Sequence, residues 1–267
     1  MAEFLTRNET ALKLGIFGGV MVLMMIFEAL WPRKKRTQPR GTRWVTNLGI
    51  IVIDSLFIRL LFPIVAMGVA AYAAGKGYGL LNLISLPVWG HIVFSMIVLD
   101  MAIYWQHVAA HKIPMIWMFH KMHHADRDLD ATSGTRFHPV EIAASMLYKM
   151  AIALILGPHV IGVLMFEIVL NVSAIFNHAN VKLPLWLDRI VRTVFVTPDM
   201  HRVHHSIIGK EFTTNYGFNM SIWDKIFGTY TDQPSKGHDG MTLGLKEYQS
   251  DNPSHLIWCL LLPFKKK

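Results

Sequence analysis

Cysteine is almost missing from this 267-residue chain. Cys259 stands alone, which excludes structural disulfides together with Cys-rich zinc and iron–sulfur frameworks. Charge is scarce too: Asp, Glu, Lys and Arg make up 16% of the residues, well below the roughly one quarter usual in soluble domains. With 52% hydrophobic residues and a mean hydropathy of +0.35, the composition excludes an ordinary soluble domain and a disordered tail. No Gly-rich dinucleotide loop follows a strand pattern and no CxxCH haem-attachment motif occurs, so neither signature of a resident redox cofactor is present. Acids are few, 18 Asp and Glu against 26 Lys and Arg, for a net charge of +8. Against these shortages stands one surplus, 14 histidines.

The apolar residues fall into runs long enough to cross a bilayer, which takes about 20 residues of helix. Spans are expected at about 11–31, 48–74 and 88–105. A further apolar region at about 142–176, interrupted at Gly157-Pro158, reads as a helical hairpin that enters the membrane and returns. The run Leu256 to Phe264 is too short to span and is expected on the surface or packed on a cap. Residues 1–106 thus form a set of transmembrane helices. Residues 107–267 form the histidine-box catalytic region, with the membrane hairpin and the cap. The fold class is all-α, a polytopic membrane helical protein with a cytoplasmic, histidine-rich metal-binding cap.

Orientation follows from the basic residues. Arg33, Lys34, Lys35, Arg36, Arg40 and Arg43 crowd one acid-free stretch after the first run, and the chain ends Lys265-Lys266-Lys267. Such juxtamembrane clusters mark the cytoplasmic side and attract anionic headgroups, so the bilayer is the expected partner and nucleic acid is not. The third run then delivers Tyr104 and His107 to the cytoplasmic face. Trp31, Trp44, Trp89 and Trp105 fall near span ends, as an interfacial belt requires.

Eight histidines form three clusters: His107-x-x-x-His111, His120-x-x-His123-His124 and His201-x-x-His204-His205. A random chain of this composition holds one HxxHH about 0.04 times, so two copies are a signal rather than an accident. Residues three and four apart share a helix face, and each cluster therefore aims imidazoles at one point. Eight nitrogen ligands exceed one metal's capacity and imply two ions. Neutral imidazole suits iron, zinc or copper, and the spacing does not choose between iron and zinc. His91, His159, His238 and His255 stand singly and read as ordinary packing residues.

The order HxxxH, HxxHH, HxxHH on apolar hairpins resembles the membrane fatty-acid hydroxylase/sterol desaturase superfamily over about Asp100 to Tyr230. Further matches are Arg136-Phe-His138-Pro, Asn177-His178, Thr197-Pro198, Asn215-Tyr216-Gly217 and Trp223-Asp224-x-x-Phe227-Gly228-Thr229. The resemblance implies a non-haem di-iron centre on the cytoplasmic face that uses O2 as co-substrate to hydroxylate or desaturate a lipid. By position it implies metal ligation by His107, His111, His120, His123, His124, His201, His204 and His205, with His178 as an additional ligand. His138 either lines the site or orients a ligand. Many members carry Arg after the first histidine of the first box, where this chain has Val108.

Other candidates follow from helical phase. Asp100, Tyr104, His107 and His111 share one stripe, which makes Asp100 and Tyr104 candidates for supporting or lining the site. Asp100 either supports an imidazole or pairs with a cation such as Arg59. Asp126, Asp128 and Asp130 are expected in a solvated loop. An unactivated C–H bond offers no proton to remove, so a redox metal with O2 is needed, and electrons must come from a separate donor such as a ferredoxin or a cytochrome b5-like protein. A membrane zinc-dependent hydrolase and a non-enzymatic metal-binding protein are the competing readings. No HExxH supplies a general base for the former, since the first box reads His107-Val-Ala-Ala-His111. Sterol, fatty acyl chain and related lipids all remain open as substrates. The compact chain leans towards a bacterial inner-membrane enzyme, with the endoplasmic reticulum as the eukaryotic equivalent.

Overall fold

A computed structural model describes residues 2–265; Lys266 and Lys267 of the basic tail lie outside the described residues. After α1 (Ala2–Arg7), the helices are α2 (Glu9–Leu30), α3 (Arg40–Leu61), α4 (Ala66–Lys76), α5 (Val88–Lys112) and α6 (Pro114–His124). They continue as α7 (Pro139–Leu156), α8 (Val160–His178), α9 (Leu185–Val191) and α10 (Pro198–His204). Short helices follow at Gly209–Phe212, Ile222–Ile226, Gly237–Gly240 and Leu256–Leu261. Pairing between extended segments is limited to isolated bridges among the described residues. Among the described residues, five helical segments are long and apolar enough to cross a membrane, and large apolar side chains such as Leu60, Val93, Leu147 and Ile155 cover their outer faces.

Proline and glycine set the boundaries. The run expected as one span at 48–74 is two helices, because Phe62 precedes Pro63 and takes an extended conformation in which the helix cannot continue. Both α3 and α4 then pack on α7. Pro114 likewise separates α5 from α6. At 25 residues, α5 is about 37 Å long, more than the ~30 Å of a hydrocarbon core, and its last turns carry His107 and His111. The expected hairpin is α7 and α8, joined through Gly157 in a left-handed conformation (φ 61°). A Cβ at Gly157 would collide with the Tyr78 carbonyl.

Between the spans, Ala70, Leu99, Ile103, Ala153, Val163 and Phe166 form a buried apolar core. The cap is held differently. Asp126, Asp128 and Asp130 are buried rather than solvated, because the basic stretch supplies their partners. The Arg43 guanidinium meets Asp126 at 2.8 Å and Asp130 at 2.6 Å and also donates to the Asp128 carbonyl. Backbone N–H groups of Thr37 and Gln38 donate to the Asp128 carboxylate at 2.6 Å. Arg33 reaches Asp199 at the start of α10 at 3.0 Å. Arg36 and Arg40 flank buried Glu28 at 3.5 and 3.8 Å. Much of the charge expected to face lipid headgroups is thus spent inside the protein, fastening the α2–α3 link to the histidine-bearing cap. The Leu256–Leu261 helix packs on the cap as expected, with Cys259 and Leu262 fully buried against Ile50 and Met122.

Candidate metal centre

Four short pieces bring the histidines together: the end of α5, all of α6, the end of α8 and α10. Local chemistry fixes each piece. Thr197 caps α10 by accepting from the Met200 N–H at 3.3 Å, with Pro198 in the first turn. The short helical turn at Ala131–Thr135 approaches α8 so closely that only a glycine fits at 134, where a Cβ would strike the Ala174 carbonyl. The result is two groups of convergent nitrogens, His107, His111, His120, His124 and His204 in one and His123, His178, His201 and His205 in the other. Within each group the nitrogens lie within 4.8 Å of one another. All nine are buried except the half-buried His111.

Proton positions follow from the outer partners. Nδ1 of His107 meets the Tyr216 carbonyl at 2.8 Å, Nδ1 of His178 the Ala174 carbonyl at 2.7 Å and Nδ1 of His204 the Thr214 carbonyl at 2.7 Å. A carbonyl only accepts, so each Nδ1 carries the hydrogen and each neutral ring turns an Nε2 lone pair inward. Burial, and behind it the neighbouring imidazoles, holds His123, His124, His201 and His205 well below the usual histidine range. Burial also brings His204 down to about 3, so these rings are neutral at physiological pH.

Inward, Nε2 of His107 faces Nε2 of His204 at 3.1 Å, and Nε2 of His178 faces those of His123 and His201 at 3.0 Å each. Between His107 and His204, both fixed as Nδ1–H tautomers by their carbonyls, two lone pairs at that distance make no hydrogen bond. A cation fits between them, and a neutral nitrogen donor set of this kind suits a transition metal rather than magnesium or calcium. The inward nitrogens of His111, His120 and His124 also lack a hydrogen-bond partner, so the residues fit two metal ions, one per group.

The surroundings support that arrangement. His120 Nδ1 donates to Glu141 Oε1 at 2.6 Å, an outer carboxylate of the kind that orients a metal-binding imidazole. Phe137 stacks on His123, centroids 4.5 Å apart and planes at 9°. Trp117 and Phe212 cover His111 and His124 on another side. Asp224 accepts from the Tyr216 and Gly217 N–H groups at 2.8 and 2.7 Å and so positions the carbonyl that holds His107. Above the histidines, among α2, α3, α5, α7 and α8, lies a mainly apolar cavity of about 340 Å³ whose lining includes Phe137, Glu141, Ala174 and Phe218.

Three sequence candidates lie elsewhere. His138 caps α7, accepting from the Val140 N–H at 3.2 Å, while its Nε2 faces the Leu260 carbonyl. Asp100 accepts from the Trp223 indole N–H at 2.7 Å and the Met220 N–H at 3.2 Å, not from an imidazole or from Arg59. The Tyr104 hydroxyl bonds Thr229 and its ring stacks on Phe227. Both therefore brace the segment that carries Tyr216. Glu141 escaped the sequence reading, its only signal being an acid in the first turn of α7 after His138-Pro139.

The family model for fatty acid hydroxylase matches residues 92–229, which span all three boxes and His178. The chain belongs to the fatty acid hydroxylase family. Among its relatives, the ornithine lipid hydroxylase OlsE of Rhizobium tropici is 26% identical over 232 residues, covering 82% of this chain and 67% of that protein. Human alkylglycerol monooxygenase is 28% identical over 56% of this chain and 33% of its own length. Human cholesterol 25-hydroxylase is 28% identical over 52% of this chain and 50% of its own length. The chain thus spans about two thirds of the first and between a third and a half of the others. No solved structure matches the chain significantly.

Proposed function

We propose that this family member is a membrane-bound di-iron monooxygenase that hydroxylates a lipid taken from the bilayer. The observation that carries the reading is the pair of convergent histidine groups screened by Phe137 and Phe218 from a mainly apolar cavity between spanning helices. Family relatives named as hydroxylases and monooxygenases of an ornithine lipid, alkylglycerol and cholesterol support oxidation of lipid and favour hydroxylation over desaturation. His107, His111, His120, His124 and His204 would hold one ion, and His123, His178, His201 and His205 the other. Bound there, the pair supplies the one-electron and O2 chemistry that an unactivated C–H bond demands.

The chain's own residues do the rest. Carbonyls of Tyr216, Ala174 and Thr214 keep the Nδ1 protons outward, and Glu141 does so for His120. Phe137 and Phe218 separate the imidazoles from the cavity; their apolar rings exclude water and leave room for a hydrocarbon chain. Electrons come from a separate carrier, a ferredoxin or a cytochrome b5-like protein. The cap lies on the cytoplasmic side in this reading, supported by the basic α2–α3 link, which shares a side with the third box through the Arg33–Asp199 ion pair.

The test is metal analysis of detergent-purified protein loaded with iron, followed by incubation of lipid extracts with isotopically labelled O2 and a reductant. Two irons per chain and one labelled oxygen per modified lipid are expected. One tight zinc, with no oxygen incorporated under any donor, would overturn the proposal in favour of a hydrolytic or non-catalytic metal protein.

A further inference from the structure

The cavity is not uniformly apolar. Asp54, on the part of α3 that lies within a spanning segment, lines it with only 9% of its surface exposed. Its Oδ1 is buried without a hydrogen-bond partner, and among the described residues the carboxylate forms no ion pair. Lys149, two turns beyond Glu141 on α7, lines the same cavity and is likewise without an ion pair or hydrogen bond among the described residues, so the two do not neutralise each other by direct contact. The third charged lining residue, Glu141, is committed to His120. By contrast, Lys13 of α2 meets Glu167 of α8 at 2.6 Å.

An ionisable group inside a span is unfavourable unless it faces a cavity or partner that uses it. A carboxylate shielded from water needs a donor, and an ammonium in an apolar cavity needs an acceptor. We propose that this cavity recognises a lipid with an amphoteric head group, an ammonium set against Asp54 and a carboxylate or phosphate set against Lys149. A sterol or an ether-linked glycerol offers neutral hydroxyls and leaves both charges unmatched. A purely anionic lipid satisfies Lys149 and meets the uncompensated Asp54. The proposal names the substrate class of the cavity described above and rests on that cavity being the lipid site.

The experiment measures binding, without reductant or O2, on the full-length metal-loaded protein in detergent. The probes are didecanoyl phosphatidylethanolamine, which carries both charges, didecanoyl phosphatidic acid, which carries only the anion, and didecanoylglycerol, which carries neither. Each matched charged hydrogen bond is worth about 10- to 100-fold in affinity. The expected order is therefore ethanolamine lipid, then phosphatidic acid, then diacylglycerol, separated by about tenfold or more per step. Asp54→Asn, nearly isosteric, should bring the ethanolamine lipid down to the level of phosphatidic acid, and Lys149→Met should weaken both charged lipids while sparing diacylglycerol.

Equal affinities in the native protein, or a native order of preference retained in the Asp54→Asn/Lys149→Met double variant, would overturn the inference. Because no turnover is involved, selective binding without any hydroxylated product refutes only the monooxygenase reading. Hydroxylation with no head-group selectivity refutes only this one.

Discussion

Replacing Glu141 separates the carboxylate's part in holding a metal from its part in holding the fold. Its Oε1 lies 2.6 Å from His120 Nδ1, and His120 is buried among the first group of five. A hydrogen bond to a charged group contributes about 1.5–3 kcal/mol, so Glu141→Leu should weaken retention of that ion by about 10- to 150-fold, in line with the 10- to 100-fold typical of such outer partners. Glu141→Gln keeps an acceptor but loses the charge, and a loss of about 3- to 30-fold is expected. Competition against a graded series of chelators, with metal counted by mass spectrometry, reads the affinity. Melting of the metal-free protein reads the fold. Loss of one ion while the second group stays loaded is the expected result, with the metal-free melt lowered modestly by the unsatisfied His120 N–H and restored more fully in Glu141→Gln than in Glu141→Leu. Native affinity in Glu141→Leu would refute the argument that the outer carboxylate fixes the His120 ring.

Other substitutions test other parts of the frame. His204→Ala and His123→Ala remove one nitrogen from the first and second groups respectively; each should abolish lipid oxidation with membrane insertion unchanged by fractionation, and full turnover would remove that histidine from the site. Arg43→Met strands Asp126 and Asp130, both fully buried, and should destabilise the cap by about 3–5 kcal/mol, read as a lower melting temperature. His238 is pulled down to about 4 by burial, with Asp199 opposing. A buried neutral histidine stabilises fully above its unfolded pKa near 6.5 and loses that contribution as pH falls towards the folded value. Melting temperature should therefore drop between about pH 6.5 and 4, and His238→Phe should flatten that slope; an unaltered slope would assign the acid sensitivity to other groups.

The parts of the fold that sequence reveals are those written as periodicity and spacing. The HxxxH and HxxHH boxes are local patterns, so their helical faces follow from three- and four-residue steps. Apolar length likewise announces the spans. What spacing cannot carry is long-range pairing. Asp126, Asp128 and Asp130 look like a hydrophilic loop until Arg43, more than 80 positions earlier, is folded beside them. The break at Pro63 was open to inspection, yet the apolar run continues through it and hydropathy does not register a lost N–H. His138 sits in an Arg-Phe-His-Pro match, and its side chain is used for a helix start rather than for the metal, a difference that a motif cannot encode. Asp100 shares the stripe of His107 but its carboxylate turns to Trp223, because a stripe fixes the face of a helix and not the neighbour across from it.

The same long-range pairing bears on where the family's working unit ends. The matched region, residues 92–229, contains every box histidine, but several groups that hold those histidines in place lie outside it. Glu28 accepts from the Ala131 and Asn180 N–H groups, tying the turn after the second box to the chain just past His178. Arg33 anchors the start of α10 through Asp199. Arg43 fills the acid pocket after the second box, and the Pro253 carbonyl accepts from Arg136 at 2.6 Å. Cut to the matched region, the protein would keep its box histidines but leave buried Asp126, Asp130 and Arg136 without these partners, and uncompensated buried charge is among the costliest defects in a fold. The first span, the basic link and the closing helix are therefore structural parts of the candidate metal site, although they carry no box of their own.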